Sequence, residues 1–411
     1  MKNTGYSSFL VKKYGITLSD LALHYLLICG EIPNNFIEKI FGKNNWKYIA
    51  YKSKYKGMFV SKRKNNLDGF QLSKKAIRFV DNLKYNYKPY LRPDGQLREI
   101  TTDIFKRDRY RNAMGWYYLL DSWGIDYLKE KMKNHEYHFF DSRIIKNYFN
   151  LIRSDLGGAN NESFQISGSK SFGVLRTPTN RLFSIYVFPK DPINLSYNME
   201  YRFELFTKAY IFKDNDYKYG YAIMINNENY NNAFLFCATL VLLLLNYKNT
   251  RLFGVRTENY KRMESFVQSK VDSSVSNDGS AGIPILNMTQ DSQMNYFFNK
   301  TYYDNTFRNI ILNEQGENSR EIEDKVLSEH PAATVYKGMP CVFLMDLDIE
   351  NFYHIMKYSI FLKVSYYFVC FEKHKEVIEA TVKAIYQYHD IDIESKVVSI
   401  EEIIKNYDVS L

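Results

Sequence analysis

The chain has few cysteines and no pair of them with the spacing of a metal site. Its four cysteines, Cys29, Cys237, Cys341 and Cys370, stand far apart in apolar stretches, and no CxxC pair occurs. Structural zinc sites are usually built from such closely spaced pairs, so we expect no zinc site. Reduced, buried thiols are typical of a cytoplasmic protein, and we predict that localisation.

Long hydrophobic runs are missing as well. The longest, Ala238-Thr-Leu-Val-Leu-Leu-Leu-Leu245, is much shorter than the ~20 apolar residues that cross a bilayer. The first residues, Met1 to Tyr6, lack the apolar core of a signal peptide. We therefore predict no membrane partner, and we predict that the run at 238–245 forms a buried helix.

The common motifs for phosphate binding and nucleophilic catalysis are also absent. The sequence contains no GxxxxGKS/T, no GxGxxG after a predicted strand and no GxSxG, so we predict no cofactor. His135 and His138 are three residues apart and would share one face of a helix. No third ligand is indicated, so we interpret them as a surface pair and predict no metal site.

Positive charge is present in excess and is confined to one end of the chain. The net charge is +9, but residues 1–100 contain 19 Lys and Arg against 7 Asp and Glu, a net charge of +12. The remaining 311 residues contain 36 basic and 39 acidic residues, a net charge of −3. Such a polarised distribution indicates that one domain binds a polyanion.

The basic end has the element pattern of a winged helix. We predict an apolar helix from Ser19 to Ile28, a second helix from Pro33 to Phe41 and a basic, aromatic third helix from about Asn44 to Lys56. A hairpin follows, with a basic tip at Ser61–Asn66 and a return strand at Gly69–Leu72. In proteins with this order of elements, the third helix can enter the major groove of DNA.

The third helix and the wing provide the candidate DNA contacts. At 3.6 residues per turn, Trp46, Ile49 and Ala50 share one side and are predicted to pack inward. Asparagine pairs with adenine edges, and lysine reaches guanine or phosphate, so the remaining residues are predicted to contact DNA. They are Asn44, Asn45, Lys47, Tyr48, Tyr51, Lys52 and Lys54 on the helix and Lys62, Arg63 and Lys64 on the wing. Phosphate contacts release counterions, so affinity should fall steeply with salt.

The rest of the chain alternates strands with helices. Candidate strands lie at Tyr219–Ile225, Cys341–Met345, Tyr366–Phe371 and Lys396–Val398, with helical segments between them. This alternation predicts a partly parallel sheet. The predicted fold class is α+β: an N-terminal winged helix-turn-helix at 1–90, a helical connector at 91–160 and an α/β domain with a mixed sheet at 161–411.

Acidic residues at the end of a late strand are the closest match to a nuclease site. Asp346 and Asp348 follow the strand at Cys341–Met345, where carboxylates could bind Mg²⁺ and orient water. The Glu-x-Lys strand expected of such a site is missing, and the preferred interpretation is that one of the two aspartates caps the next helix. Glu200 and Glu204, four residues apart on a predicted helix, are expected to form surface contacts.

The layout of the whole chain resembles the winged-helix proteins of plasmids and integrative elements that are grouped as replication-relaxation proteins. Leu18 to Leu72 carry the resemblance in the winged helix, and Cys341 to Glu350 and Tyr366 to Phe371 carry it in the late strands. The resemblance implies a C-terminal α/β domain similar to a degenerate nuclease fold. It also implies that Asp346 and Asp348 occupy the acidic end of the late strand.

These observations lead to one main hypothesis and two alternatives. The main hypothesis is a non-enzymatic, DNA-binding protein of a plasmid or mobile element that acts in replication initiation or conjugative transfer. Its partner would be double-stranded, AT-rich DNA, and the α/β part could form a homodimer. One alternative is a Mg²⁺-dependent DNA nuclease or nickase that uses Asp346 and Asp348. The other is a regulatory protein whose winged helix contacts another protein.

Overall fold

The computed structural model describes the chain in a series of stretches. They are residues 17–29, 31–52, 55–64, 67–81, 113, 115, 139–152, 166–177, 181–188, 195–213, 217–225, 231–245, 261–274, 280–287, 291–316, 319–407 and 409. The chain divides into two compact units, 1–163 with 170–175 and 164–169 with 176–411. Both contain helices and strands, and parallel and antiparallel strand pairs occur together, so the predicted α+β class with a mixed sheet is confirmed.

Residues 17–81 of the first unit form four helices and a small antiparallel sheet. In chain order the elements are α1 (Leu18–Cys29), β1 (Glu31–Pro33), α2 (Asn34–Phe41), α3 (Lys43–Tyr51), β2 (Phe59–Lys64), β3 (Leu67–Leu72) and α4 (Lys74–Asp81). Strand β3 lies between β1 and β2. Ile32 of β1 is opposite Phe70, and Phe59 of β2 is opposite Leu72.

Trp46 of α3 lies at the centre of the core of residues 17–81. Its ring centroid is 4.8 Å from that of Phe70, 5.5 Å from that of Phe59 and 5.7 Å from that of Phe41. Aromatic pairs at such distances each contribute about 1 kcal/mol beyond their buried area. Because these rings come from α2 and both strands of the hairpin, Trp46 fixes α3 against the sheet.

Short local interactions set the ends of the helices in this region. Gly42, between α2 and α3, has a φ of +78°, which glycine adopts without strain and which ends α2. Ser73 caps α4, since its Oγ accepts a hydrogen bond from the N–H of Ala76 at 3.2 Å. The same hydroxyl donates to the carbonyl of Gly57 at 2.8 Å, which ties the start of α4 to the start of the hairpin.

The remaining described elements of the first unit are two strands and a helix. They are β4 (Phe139–Asp141), α5 (Ser142–Ile152) and β5 (Gly173–Arg176). Strand β4 pairs antiparallel with β5, with Phe140 opposite Val174. Most of the predicted connector at 91–160 and the histidines His135 and His138 lie outside the described residues.

The second unit begins with three neighbouring parallel strands and the helices that follow them. The elements are β6 (Arg181–Phe188), α6 (Tyr197–Phe206), a π-helix (Thr207–Phe212), β7 (Lys218–Ile225), α7 (Asn231–Leu244), α8 (Lys261–Ser274) and β8 (Ile285–Asn287). Ser184 of β6 is opposite Tyr221 of β7, and Ile223 of β7 is opposite Ile285 of β8. The central residues of β6 and β7 are buried, as expected for parallel strands that are covered on both faces.

The later part of the second unit is a four-stranded sheet with helices. The elements are α9 (Asp291–Phe298), α10 (Lys300–Glu314), α11 (Ser319–Glu329), β9 (Thr334–Tyr336), β10 (Met339–Phe343), α12 (Ile349–Leu362), β11 (Tyr367–Cys370), α13 (Glu372–Tyr388), β12 (Lys396–Ser399) and α14 (Ile400–Ile403). The strand order is β12-β11-β10-β9. Strand β9 is antiparallel to β10, and the other two pairs are parallel.

The segment 280–287 connects the two sets of strands in the second unit. On one side, the N–H of Ile223 in β7 donates to the carbonyl of Pro284 at 2.9 Å. On the other side, the N–H of Ile285 donates to the carbonyl of Asp346 at 3.0 Å, and the N–H of Ile349 donates to the carbonyl of Ile283 at 3.1 Å. The turn after β10 is therefore held against β8.

Several element boundaries differ from the predictions. Helix α3 ends at Tyr51, before the predicted end near Lys56, because the chain turns at residues 55–58 and the Tyr55 hydroxyl donates to the Asp20 carboxylate. Helices α9 to α11 were not predicted, since α10 is rich in tyrosine, asparagine and threonine, which are weak helix formers. None of the helices in the described stretches is long and apolar enough to cross a membrane.

Candidate functional site

Helix α3 has a buried side and an exposed side. Trp46, Ile49 and Ala50 are buried, as predicted. The predicted contact residues that the structure describes on α3 and at its end are all exposed: Asn44, Asn45, Lys47, Tyr48, Tyr51 and Lys52. Lys54 lies outside the described residues. The exposed side therefore presents amide, ammonium and phenol groups to solvent.

The charged residues of α3 are all positive. The helix contains Lys43 and Lys47 and no Asp or Glu, and Lys43 is exposed in the first turn. The N-terminus of a helix carries a partial positive charge, so a lysine there is electrostatically unfavourable. With no acidic residue in the first turn, the positive potential of α3 is available to an anion outside the helix.

Two aromatic side chains lie among these polar groups. Tyr48 and Tyr51 are 59% and 58% exposed, and at a spacing of three residues they lie on the same side of the helix. Among the described residues of the first unit, no other large hydrophobic side chain is as exposed. These rings therefore take little part in the core of residues 17–81.

The predicted wing residues lie on a paired strand. The last three residues of β2 are opposite three residues of β3 in register: Lys62 with Gly69, Arg63 with Asp68 and Lys64 with Leu67. The predicted basic tip at Ser61–Asn66 is therefore shorter than expected, because the strand pairing continues to Lys64. The three basic residues follow one another at the far end of the hairpin from α4.

Asp348 caps the helix that follows it. Its Oδ1 accepts hydrogen bonds from the backbone N–H groups of Glu350 at 3.1 Å and Asn351 at 3.3 Å. The same oxygen accepts a third from the N–H of Ile283 at 2.9 Å. This confirms the preferred interpretation that one of the two aspartates caps α12. The oxygen also holds the segment 280–287 against the start of that helix.

Asp346 forms an ion pair with a lysine that is distant in the sequence. The Nζ of Lys300, the first residue of α10, is 2.6 Å from Oδ2 of Asp346, and the carboxylate is almost completely buried. The other oxygen of Asp346, Oδ1, is buried without a hydrogen-bond partner. The candidate nuclease residues thus lie with a lysine in the protein interior. Spacing along the sequence could not identify Lys300, which precedes Asp346 by 46 residues.

The charges of this cluster influence one another. Burial, followed by the charge of Asp346, raises the pKa of Asp348 to about 6. Burial alone would lower the pKa of Lys300, but the carboxylates of Asp346, Asp348 and Asp304 together raise it. Burial also raises the pKa of Asp304, which accepts a hydrogen bond from the Tyr296 hydroxyl at 2.5 Å. Lys300 therefore offsets part of the repulsion between these acids, and the charge of Arg181 also acts on Asp304.

A glycine is required where the segment 280–287 passes the cluster. Gly282 has a φ of +92°, in the region that favours glycine. A Cβ at this position would collide with the side chain of Asp348. The carboxylate therefore packs directly on the backbone of the segment, which leaves no room for a ligand on that side.

Glu200 and Glu204 are buried, so the prediction that they form surface contacts was wrong. They are 0% and 6% exposed. Glu200 accepts hydrogen bonds from Ser169 Oγ at 2.6 Å and Tyr186 OH at 2.7 Å. Glu204 accepts one from Tyr221 OH at 2.6 Å. Tyr186 of β6 and Tyr221 of β7 thus donate to the carboxylates of α6, where an apolar sheet face could not. Lys270 Nζ also lies 3.8 Å from Oε2 of Glu204.

Within the described stretches, no group of three or more histidine, cysteine, aspartate or glutamate side chains is arranged to bind a metal ion. The cysteines Cys29, Cys237, Cys341 and Cys370 are free and buried, as predicted. Burial raises the pKa of the thiols of Cys237, Cys341 and Cys370. Raised thiol pKa values favour the protonated, unreactive form at neutral pH.

Comparison with known proteins finds no relative. No family model, no curated protein and no solved structure matches the chain. The resemblance to replication-relaxation proteins, carried by Leu18–Leu72 and the late strands, therefore stays a prediction from the sequence.

Proposed function

We propose that this protein binds double-stranded DNA through a winged helix formed by residues 17–81. In this proposal α3 enters the major groove, and the end of the β2–β3 hairpin contacts the neighbouring backbone. The resemblance to replication-relaxation proteins adds a biological role, in replication initiation or conjugative transfer of a plasmid or mobile element.

The order of the elements supports the winged helix. Three helices with a short strand between the first two precede a hairpin, and the strand β1 pairs with the second strand of that hairpin. In helix-turn-helix proteins, the second helix of the motif lies in the major groove, and the first crosses the backbone. Here α2 and α3 would take those two places.

The exposed side of α3 is the observation that carries the proposal. It combines lysines, which reach guanine and phosphate, with Asn44 and Asn45, which can pair with adenine edges. The inward side, with Trp46 at its centre, leaves all of these groups outside the core. These exposed groups contribute little to the core and remain open to a partner.

The location of the charge favours DNA over a protein partner. Residues 1–100 have a net charge of +12, whereas the rest of the chain has −3. Protein–protein interfaces are depleted in lysine at their centre, whereas a phosphate backbone binds lysine and releases counterions. Helix α3 has two lysines in nine residues and no acidic residue, which fits a phosphate backbone better than the centre of a protein interface.

The nuclease alternative has less support. Its candidate residues, Asp346 and Asp348, are buried. One is paired with Lys300, and the other accepts three backbone hydrogen bonds. These contacts give each aspartate a structural role, so we propose no catalytic step for them.

The proposal is tested by DNA binding of a triple variant, Lys47→Ala, Lys52→Ala and Arg63→Ala. Duplexes would first be selected by the wild-type protein from a random library, and affinity would then be measured over a range of salt concentrations. Each phosphate contact contributes about 0.9 to the slope of log affinity against log salt. We expect the variant to bind at least about tenfold more weakly, with a slope that is shallower by about 2 to 3.

The matched control is the triple variant Lys325→Ala, Lys383→Ala and Lys405→Ala. These lysines are exposed in the second unit, and their removal changes the net charge by the same amount. We expect the control to bind like the wild type. Equal affinity and equal salt dependence in all three proteins would contradict the proposal, and so would a wild-type protein that retains no duplex from the library.

A further inference from the structure

We propose that Tyr48 and Tyr51 contact the 5-methyl groups of thymine in the major groove, which gives this protein its preference for A·T-rich duplexes. This inference rests on the proposed function, because it requires α3 to lie in the groove. It goes further by naming the two side chains that determine specificity and the chemical group that they recognise.

The first support is the placement of the two rings. Both are more than half exposed on the side of α3 opposite Trp46, Ile49 and Ala50. Residues three apart on a helix have Cβ atoms about 5–6 Å apart, and stacked base pairs are separated by about 3.4 Å along each strand. Two rings with this separation can reach methyl groups that are one or two base pairs apart.

The second support is the chemistry of the neighbouring side chains. In the major groove, thymine presents one acceptor oxygen and a methyl group, and this methyl group is recognised by apolar contact. Asn44 and Asn45, exposed on the same helix, can form two hydrogen bonds with adenine. The polar residues thus fit one base of an A·T pair, and the aromatic rings fit the other.

The third support is that neither ring has an evident structural role in the core. A tyrosine whose ring packs in the core contributes to stability through its buried area, but these two rings are mostly in water. Single exposed apolar side chains are common on protein surfaces, whereas neighbouring ones rimmed by polar groups are typical of interaction sites, and these two rings are neighbours on one side of α3. The positive charge and the lack of acid on α3 make a nucleic acid the complementary partner.

The experiment compares two 24-base-pair duplexes of the same alternating A·T sequence. One contains thymine, and the other contains uracil at every thymine position, so the two differ only in the methyl groups. A buried methyl group is worth about 0.8 kcal/mol, which is about fourfold in affinity. With two contacts, we expect wild-type protein to bind the thymine duplex about fifteenfold more tightly.

The variants assign that preference to the two side chains. In the double variant Tyr48→Ala and Tyr51→Ala, the thymine-to-uracil affinity ratio should fall to about one. The salt slope should stay as in the wild type, because no charge is removed. The variant Tyr48→Phe keeps the ring and should keep the preference. Tyr302→Ala, at an exposed tyrosine of the second unit, is the matched control.

Each contrary outcome is distinct. If wild-type protein binds both duplexes tightly and equally, the methyl contact is overturned while the proposed function stands. If the double variant keeps the preference, the two tyrosines are not its source. Tighter binding to the single strand than to the duplex would indicate base stacking and would also overturn the inference. Failure to bind any DNA would overturn the proposed function and this inference together.

Discussion

On α3, Lys43 and Lys47 expose their ammonium groups to solvent, and the helix contains no carboxylate. In the second unit, Lys300 places its ammonium 2.6 Å from Asp346 in the protein interior, beside Asp348. A charge that is buried without a partner costs several kcal/mol, so the buried Asp346 carboxylate needs a partner such as Lys300. A solvated charge has a small effect on folding and remains available to a partner. The difference separates charges that the fold itself neutralises from charges that remain open to a partner.

The largest expected effect is at the interior ion pair. Lys300→Met removes the cation and leaves the Asp346 carboxylate buried among acids, so we expect a loss of about 3 kcal/mol in the free energy of unfolding, measured by urea denaturation. Lys325→Met, at an exposed helical lysine, should change the free energy by less than about 0.5 kcal/mol.

A second variant separates the loss of the pair from a loss of packing. Replacing both partners, with Lys300→Met and Asp346→Leu, removes the unpaired charge and should restore most of the lost stability. If the double variant is as unstable as Lys300→Met alone, the loss in the free energy of unfolding comes from the packing of the methionine and not from the unpaired charge of Asp346.

The next effect concerns the pH dependence of stability. The pKa of Asp348 is about 6 in the folded protein, above the ordinary value of about 3.9. Between about pH 4 and pH 6 the folded state holds a proton that the unfolded state has released. The free energy of unfolding therefore falls as pH rises through this window, by at most about 1.4 kcal/mol per pH unit, and is level above it.

Asp348→Asn should remove this slope, because asparagine does not titrate. Asparagine is also a good N-cap residue, so α12 should remain capped. Thermal unfolding of both proteins between pH 4 and pH 8 measures the difference. A slope that is unchanged in the variant would show that another group is responsible for it.

The smallest expected effect is a gain in stability, in contrast to the loss at Lys300, and it comes from a substitution on α3. Lys43→Glu places a negative charge at the positive end of the helix, so the first unit should gain about 0.5 kcal/mol in stability. The same variant should bind DNA more weakly than the wild type, since it introduces repulsion with phosphate. Stability and binding measured together on one variant test the comparison directly, and a loss of both would contradict it.

The sequence was sufficient to predict which side of α3 faces inward. Trp46, Ile49 and Ala50 recur with the period of a helix, so only one side of this short amphipathic helix is apolar enough to pack on the core. The end of the helix was harder to predict, because the turn depends on Tyr55 and its hydrogen bond with Asp20. That contact joins residues 35 positions apart, which local periodicity does not detect.

The second unit shows why burial of charge is difficult to predict. Glu200 and Glu204 share a helix face, and on an isolated helix such a face would be solvated. In the structure the two carboxylates accept hydrogen bonds from Ser169, Tyr186 of β6 and Tyr221 of β7. These partners are brought to the helix by the pairing of the strands, which the local sequence of the helix does not show. Lys300 was missed for the same reason, since its partner is supplied by tertiary structure.

The segment 280–287 has a consequence for how the second unit unfolds. Its backbone is hydrogen bonded to β7 on one side and to the turn after β10 on the other, so neither set of strands can separate while the other keeps these bonds. Units connected in this way open as one cooperative block, and their central amides exchange with solvent only when the block opens. The amides of Ile285 and Ile349 form hydrogen bonds across this connection. Their exchange with solvent should therefore report a single opening event, shared by strands that are more than a hundred residues apart in the chain.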